Sequence, residues 1–387
     1  MVCAIFYSSL FLAVLVFAWR RVPLVSPYGM FLAFQGLYNL LPWYASSLFP
    51  GLFSVDPEVI STQLVLSSTA NLAFAAAVAL LYRKVEFGAR EIVAPVIGRR
   101  YLRWSIPLFL ITAVLCHYYG WHTFAAIGSA DETTAATSLT AYAKHACVAT
   151  YLYAIYRFGI GRTTWLLFFA IMVIMMIDGG RTAFFPVIVV TLMLWQARRH
   201  VSILKIALVF LVAVVLLQVI RGIVVGNTGI DLVAGPLFTE GYMGSFSSRQ
   251  SIIAIQNMSE PPYQFGIGSL ETWSKSIYPR TPGEFAPLGG YYFIAEAVAH
   301  FGYFGPALFA FIFGCVLSYS EQWKRRYALL YLAFTVTIGI LFVKAPLLVE
   351  SKLFLAQLLC LLLLDAMHRY RKVVQWSTAR ILAQPPN

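Results

Sequence analysis

The sequence predicts an all-α integral membrane protein with about eleven transmembrane helices and one large extracytoplasmic loop. Of its 387 residues, 60% are hydrophobic and 11% are charged, whereas soluble domains have about 45–50% apolar and about 25% charged residues. The apolar runs are long and do not alternate with polar residues. The bilayer core offers no water to backbone groups, so runs of this kind form helices of about 20 residues rather than the strands of a barrel.

The connections between the apolar runs alternate in charge. One set holds 20 of the 28 basic residues and four of the 16 acidic ones. An excess of Lys and Arg marks cytoplasmic loops, which predicts an inner-membrane protein with its N-terminus outside and its C-terminus in the cytoplasm. The net charge of +12 therefore reflects topology and predicts no nucleic-acid partner. The predicted spans are 3–19, 25–46, 63–82, 104–118, 141–157, 163–177, 183–196, 202–220, 303–319, 327–344 and 352–367.

These spans divide the chain into three segments. Residues 1–220 form an N-terminal bundle of about eight helices, 221–302 a large periplasmic loop, and 303–387 about three helices and a cytoplasmic tail. Long ordered loops are usually functional, and this one is too rich in aromatic residues for a simple flexible tether. Its end, 290–301, is predicted to be a short helix lying on or dipping into the membrane surface, because it is too short to span.

Motifs of soluble enzymes are absent from the sequence. It contains no Walker loop, no GxSxG and no HExxH. The five cysteines lie singly and have neither disulfide nor metal-ligand spacing, which indicates packing residues. We therefore expect no cofactor and no metal, and any driving force must come with the substrate.

Four arginines on the extracytoplasmic side are candidate ligands for a phosphate or diphosphate. Asp178-Gly179-Gly180-Arg181-Thr182 forms a turn between two predicted spans, and its glycines permit a tight reversal. Arg221 ends the next span, and Arg249 and Arg280 lie in the large loop. The planar guanidinium can bind a phosphate through two hydrogen bonds. The alternative is that these side chains reach out to lipid headgroups.

Glu296 and His300 are candidate catalytic residues. They are four residues apart, so they share one face of the predicted short helix. A carboxylate and an imidazole on one face can serve as a base and the group that orients it. The alternative is an ordinary solvated polar face.

Two further groups of residues have two readings each. Aromatic side chains of the loop suit stacking on sugar rings, although an interfacial aromatic belt is an equally good reading; these are Trp273, Tyr278, Tyr291 and Tyr292. Polar residues within or near the spans are functional candidates by default, but we favour helix packing for them; these are Gln35, Asn39, Asn71, His117, Lys144 and His145.

The turn, the loop arginines and the stretch AEAVAHFGYFGPALFAFIFG together resemble the bacterial O-antigen polymerases, the Wzy-type polymerases of oligosaccharide repeat units. The matching positions are Gly179 to Thr182, Arg221, Glu296, and His300 to Gly305. The matching motifs lie within roughly residues 160–320. Outside that range the chain resembles the family only in its hydropathy pattern.

The resemblance implies a glycosyltransferase that uses undecaprenyl-diphosphate-linked oligosaccharides at the periplasmic face and needs no nucleotide sugar. Its partners would be these lipids and the bilayer, with a polysaccharide chain-length regulator as a further candidate. A ligase that uses the same donor and a flippase or transporter of lipid-linked oligosaccharides are the alternatives, and a membrane scaffold is a weaker one. A transporter would place charged residues deep in its spans, whereas here the polar groups collect at the outer interface.

Overall fold

A computed structural model gives the fold. The structure describes residues 2–23, 25–48, 57–86, 99–120, 134–177, 184–198, 293–340, 342 and 347–382, and the single positions 208, 212, 215, 219 and 252. The described part is mostly helical and contains no β-strand, in agreement with the predicted all-α class.

The described helices follow the apolar runs of the sequence. Ser26 caps one of them: its Oγ accepts a hydrogen bond from Gly29 N at 3.4 Å, and Pro27 occupies the first helical position, where a missing N–H costs nothing. The helices are α1 (Val2–Arg21), α2 (Pro27–Leu48), α3 (Pro57–Leu81), α4 (Arg99–Leu115), α5 (Thr134–Phe158), α6 (Arg162–Ile177), α7 (Phe184–Arg198), α8 (Phe293–Phe301), α9 (Gly305–Ser320), α10 (Trp323–Arg326), α11 (Ala328–Phe334) and α12 (Leu347–Leu382).

Ten of the eleven predicted spans coincide with described helices, and α8 matches the predicted short helix. The remaining predicted span, 202–220, lies almost entirely outside the described residues, although Leu208, Val212, Val215 and Val219 within it are helical.

The C-terminal helix is longer than predicted. The span was expected to end near residue 367, but α12 continues to Leu382, because no Gly or Pro interrupts the chain before Pro385.

The chain forms two compact units. The first takes its residues from Met1–Gly88, Phe185–Arg326 and Thr335–Ser351, and the second from Ala89–Phe184, Tyr327–Phe334 and Lys352–Asn387. Each unit therefore combines residues from distant parts of the sequence.

In the first unit, α1 and α3 run in the same direction. Tyr7, early in α1, packs with Leu64, early in α3, and Arg21 at the end of α1 donates to Ala79 O at 3.4 Å. The helix between them, α2, runs the opposite way, since Tyr28 at its start contacts Tyr82 just after α3, whereas Asn39 in its second half contacts Gln63 near the start of α3.

Helix α9 also runs parallel to α3. The rings of Phe74 and Phe313 stack at 6.4 Å, and two turns further along Glu321 lies beside Tyr82. The two backbones approach closely at Gly314, which has no side chain. A Cβ added there would come within 2.8 Å of Ala77 Cβ. Small residues at such a contact are typical of tightly packed membrane helices.

The core of the first unit is an aromatic cluster. Phe31 stacks on Phe74 at 4.1 Å, and Phe313 stacks on Phe342 at 4.0 Å. Phe293 of α8 contacts both Phe31 and Phe342, with ring centroids 5.7 and 5.6 Å away. Helix α8 is therefore anchored in this core by its first residue.

In the second unit, α5 and α12 run parallel. His145 Nδ1 donates to Gln357 Oε1 at 2.9 Å, and eight residues further along both helices Tyr153 donates to Asp365 Oδ1 at 3.4 Å. Helix α4 runs antiparallel to α5: Tyr101 near its start contacts Phe158, whereas Thr112 near its end accepts a hydrogen bond from Cys147 Sγ at 3.3 Å.

Two helices of the described part, Glu58–Leu81 and Gly302–Arg326, are long and apolar enough to cross a membrane by length and composition. Three shorter helical stretches there, Arg162–Ile174, Pro186–Gln196 and Ala328–Gly339, are also apolar.

Candidate functional site

The two candidate catalytic residues lie on α8, a helix that is largely buried. Phe293, Ile294 and Val298 expose 2% of their surface or less. Glu296 is half-buried, and His300 exposes 8%. His300 is therefore buried, whereas Glu296 keeps part of its side chain accessible. The pair therefore lies at the edge of the aromatic core.

The imidazole of His300 lies against two phenylalanine rings that also contact each other. Its ring is nearly parallel to that of Phe309, at 11° and 6.3 Å between centroids, and it is tilted against Phe301 at the same distance. Phe309 itself contacts Phe301 and Phe342. The histidine is thus connected through Phe309 to the core of the first unit.

The residues after His300 form a tight turn that explains the two glycines in His300–Gly305. Gly302 has a φ of 61°, a left-handed conformation that ends α8 and that other residues rarely adopt. Gly302–Phe304 makes one turn of 3-10 helix. Gly305 then starts α9 against α8, where a Cβ would overlap the carbonyl oxygen of Ala297. The spacing of this motif is therefore a requirement of the backbone.

The other predicted site residues lie outside the described residues. They are the four candidate diphosphate ligands, Arg181, Arg221, Arg249 and Arg280, and the four candidate sugar-stacking residues, Trp273, Tyr278, Tyr291 and Tyr292. Their assignments stay predictions.

A seam of polar side chains joins α1, α2 and α3 at the end of the first unit where α3 begins. Asn39 is its hub: its Nδ2 donates to Gln35 O at 2.7 Å, and its Oδ1 accepts from Gln63 Nε2 at 3.1 Å and from Ser67 Oγ at 2.8 Å. Tyr7 donates to the same Gln35 carbonyl at 3.0 Å. Each of these five residues exposes 2% of its surface or less.

The seam supports the interpretation of Gln35 and Asn39 as packing residues. Asn71 continues the line of Gln63 and Ser67 along α3 and is fully buried. Sequence reasoning missed Tyr7, Gln63 and Ser67. The spacing of four residues from Gln63 to Ser67 to Asn71, which defines one helical face, was the signal that could have found them.

Charged residues collect at the opposite end of the first unit. Arg20, Arg21, Arg83, Arg325 and Arg326 are exposed there. Lys324 and Glu321 form a buried ion pair at 2.5 Å, with side chains 8% and 2% exposed. Sequence reasoning did not predict this pair.

In the second unit the predicted intramembrane polar residues differ in environment. His145 is 5% exposed and bonded to Gln357, which fits packing. His117 is exposed and lies in a π-helical turn, Cys116–Gly120, that extends α4. The hydrogen bond between His145 and Gln357 joins residues 212 positions apart, so no local pattern could have predicted it.

Among the described residues, no group of three or more His, Cys, Asp or Glu side chains is placed to hold a metal ion.

Comparisons with protein-family profiles, with curated proteins and with solved structures give no match.

Proposed function

We propose that the chain is a polytopic protein of the bacterial inner membrane that polymerises undecaprenyl-diphosphate-linked oligosaccharide repeat units into O-antigen or a related surface polysaccharide. The observation that carries the proposal is the segment from Glu296 to Gly305, in which α8 ends, the chain turns and α9 begins. It joins a carboxylate and a buried imidazole to a turn whose glycines the backbone requires. The same residues carry the resemblance to the O-antigen polymerases.

Helix direction supports the polytopic topology. Successive spans alternate in direction, so two parallel helices must be separated by an odd number of crossings. Between α3 and α9, which are parallel, lie α4 to α7 and the predicted span 202–220, which makes five crossings. Between α5 and α12, also parallel, lie α6, α7, 202–220, α9 and the segment that begins with α11, again five. The directions agree with a map of eleven spans in which α8 does not cross.

Exposed apolar side chains also support a lipid environment. In the first unit, Trp19, Leu80 and Ile312 expose 50% or more of their surface, and in the second unit Leu110 and Leu166 expose more than 60%. Soluble monomers rarely expose large contiguous apolar patches. The exposed arginines at one end of the first unit fit the cytoplasmic side of the positive-inside pattern.

The proposed reaction is a transfer of the growing glycan from its lipid diphosphate to a sugar hydroxyl of a new repeat unit. The hydroxyl oxygen attacks the anomeric carbon of the donor, and the bond from that carbon to the diphosphate oxygen breaks. The hydroxyl proton passes to a base, for which His300 with Glu296 as its orienting partner is the candidate. The leaving diphosphate carries away the bonding electrons and supplies the driving force.

The predicted periplasmic arginines complete this scheme. Negative charge develops on the diphosphate as its bond to the sugar breaks. Guanidinium groups positioned at Arg181, Arg221, Arg249 and Arg280 would stabilise that charge, an effect worth about 3–4 kcal/mol per donor in comparable sites. The aromatic residues of the large loop would hold the sugars and exclude water, which is the competing acceptor.

Deletion of the gene tests the proposal through the cell's surface polysaccharide. On a gel, we expect the ladder of chain lengths to collapse to the core carrying one repeat unit, because single units are still exported and attached. Loss of every repeat unit would contradict the proposal and favour a ligase or a flippase. An unchanged ladder would exclude a role in this polysaccharide.

A further inference from the structure

Phe309 contacts both His300 and the aromatic core of the first unit, through Phe342. The rings of Phe309 and His300 are nearly parallel, at 11°, whereas the second aromatic neighbour, Phe301, is tilted by 58° against the imidazole. Because Phe301 precedes the Gly302 turn on the same helix, it moves with α8. Phe309 belongs to α9, one turn after Gly305, and so contacts His300 from a different element.

Phe309 is itself held in place by its other contacts. Its ring lies 5.6 Å from that of Phe301 and 6.4 Å from that of Phe342, and Phe342 stacks on Phe313 at 4.0 Å. Phe309 therefore fills the space on one side of the imidazole, and its removal would leave a space into which the ring of His300 could turn.

We propose that Phe309 is a positioning residue for His300, whose imidazole plane it fixes at the end of α8. The inference rests on the proposed function, in which His300 takes the proton of the acceptor hydroxyl. Proton transfer requires a donor–acceptor distance of about 2.6–3.2 Å. An imidazole free to rotate would meet that requirement for only part of the time, so loss of the ring should slow the chemical step and leave substrate binding nearly unchanged.

The structure offers a matched control on the same helix. Phe313 lies one turn further along α9, is 3% exposed and belongs to the same aromatic cluster, whereas Phe309 is only half-buried. Among the described ring contacts, His300 lies against Phe301 and Phe309 but not against Phe313. A Phe→Leu change at Phe313 should therefore cost at least as much stability as one at Phe309, without touching the imidazole.

The experiment measures kcat and KM of the purified full-length protein in lipid nanodiscs. Its substrate is the lipid-linked repeat unit extracted from cells that lack the gene. We expect Phe309→Leu to lower kcat by about tenfold to a hundredfold, as for other small displacements of catalytic groups, with KM changed by less than about twofold. Phe309→Tyr, which keeps the ring, should restore most of the rate, and Phe313→Leu should leave kcat within about threefold of wild type.

Equal losses of kcat in Phe309→Leu and Phe313→Leu would overturn the inference, because they would indicate a general packing effect. A change confined to KM would also overturn it and assign Phe309 to substrate binding. If the wild-type protein forms no longer chains in this assay, the proposed function fails, and the inference fails with it. Activity in the wild type with an unaffected Phe309→Leu variant contradicts the positioning role alone.

Discussion

Gly305 lies directly against the main-chain carbonyl of Ala297, with no space for a side chain between them. This contact joins the start of α9 to the helix that carries Glu296 and His300. The preceding Gly302 supplies the left-handed residue that lets the chain reverse within one turn. The geometry of the candidate site therefore depends on two glycines that take no part in chemistry.

Replacement of Gly305 by alanine should disrupt this turn. The added Cβ would overlap Ala297 O, so α8 and α9 would have to separate, at a cost of about 1–3 kcal/mol for overpacking of this kind. We expect a lower midpoint of thermal unfolding in detergent and a loss of polymer in cells. Gly161→Ala is the control, because a Cβ there meets no atom within 4 Å. An unchanged midpoint for Gly305→Ala would contradict the described contact.

Asn39→Leu should destabilise the first unit. The change keeps the size of the side chain but leaves Gln63 Nε2 and Ser67 Oγ without their described acceptor. A buried polar group without a partner costs about 1–3 kcal/mol. Thermal unfolding of the purified protein should show a lower midpoint than wild type, whereas Ser61→Ala, a half-buried position on the same helix whose hydrogen bond to Glu58 O is exposed, should differ little. A wild-type midpoint for Asn39→Leu would show that the seam contributes nothing to stability.

The orientation of the chain can be read from single cysteines at the two ends of the helix Gly302–Arg326. Tyr303 and Arg325 are both exposed, and they are predicted to face the periplasm and the cytoplasm. In a protein whose five native cysteines are replaced, Tyr303→Cys should react with a membrane-impermeant thiol reagent in spheroplasts. Arg325→Cys should react only after the membrane is opened. The reverse pattern would overturn the topology.

The candidate base is tested by His300→Gln and Glu296→Gln. Both substitutions keep approximate size and hydrogen-bonding capacity but remove the group that accepts or orients a proton. We expect a fall in polymerisation rate of about a hundredfold or more for His300→Gln, in the range of general base catalysis, with normal membrane insertion. Wild-type chain lengths from both variants, expressed at the wild-type level, would exclude these residues from the chemistry.

Arg181→Lys separates bidentate phosphate binding from a simple positive charge. Lysine keeps the charge but lacks the planar fork of the guanidinium. If Arg181 binds a diphosphate through two hydrogen bonds, Arg181→Lys should fail nearly as badly as Arg181→Ala when the gel ladder of surface polysaccharide is compared. Full function of Arg181→Lys would reduce the residue to a point charge, and full function of Arg181→Ala would remove it from the site.

The positions of the helices could be predicted from the sequence because each follows a long apolar run. Helix α9, for example, begins within two residues of the predicted span 303–319 and ends within one. The extent of α12 could not be predicted from hydropathy, since its last turns are polar. No Gly or Pro interrupts them, a property that a search for apolar runs does not measure.

The candidate site was predictable only where the contacts are local. Glu296 and His300 share a face because of their spacing within one helix. The stacking of His300 on Phe309 depends on the turn between them, and the buried pair of Lys324 and Glu321 depends on burial that no loop charge reveals. Contacts between remote helices, such as those of Asn39 with Gln63 and Ser67, require knowledge of which helices pack together.

Reconstitution of the purified protein tests the central claim most directly. The protein would be incorporated into lipid nanodiscs and supplied with lipid-linked repeat units, without nucleotide sugar. If it is a polymerase, mass spectrometry should detect lipid-linked chains of two or more units, one undecaprenyl diphosphate released for each bond formed, and no such products from His300→Gln. Repeat units that stay unchanged in the presence of folded wild-type protein would contradict the account.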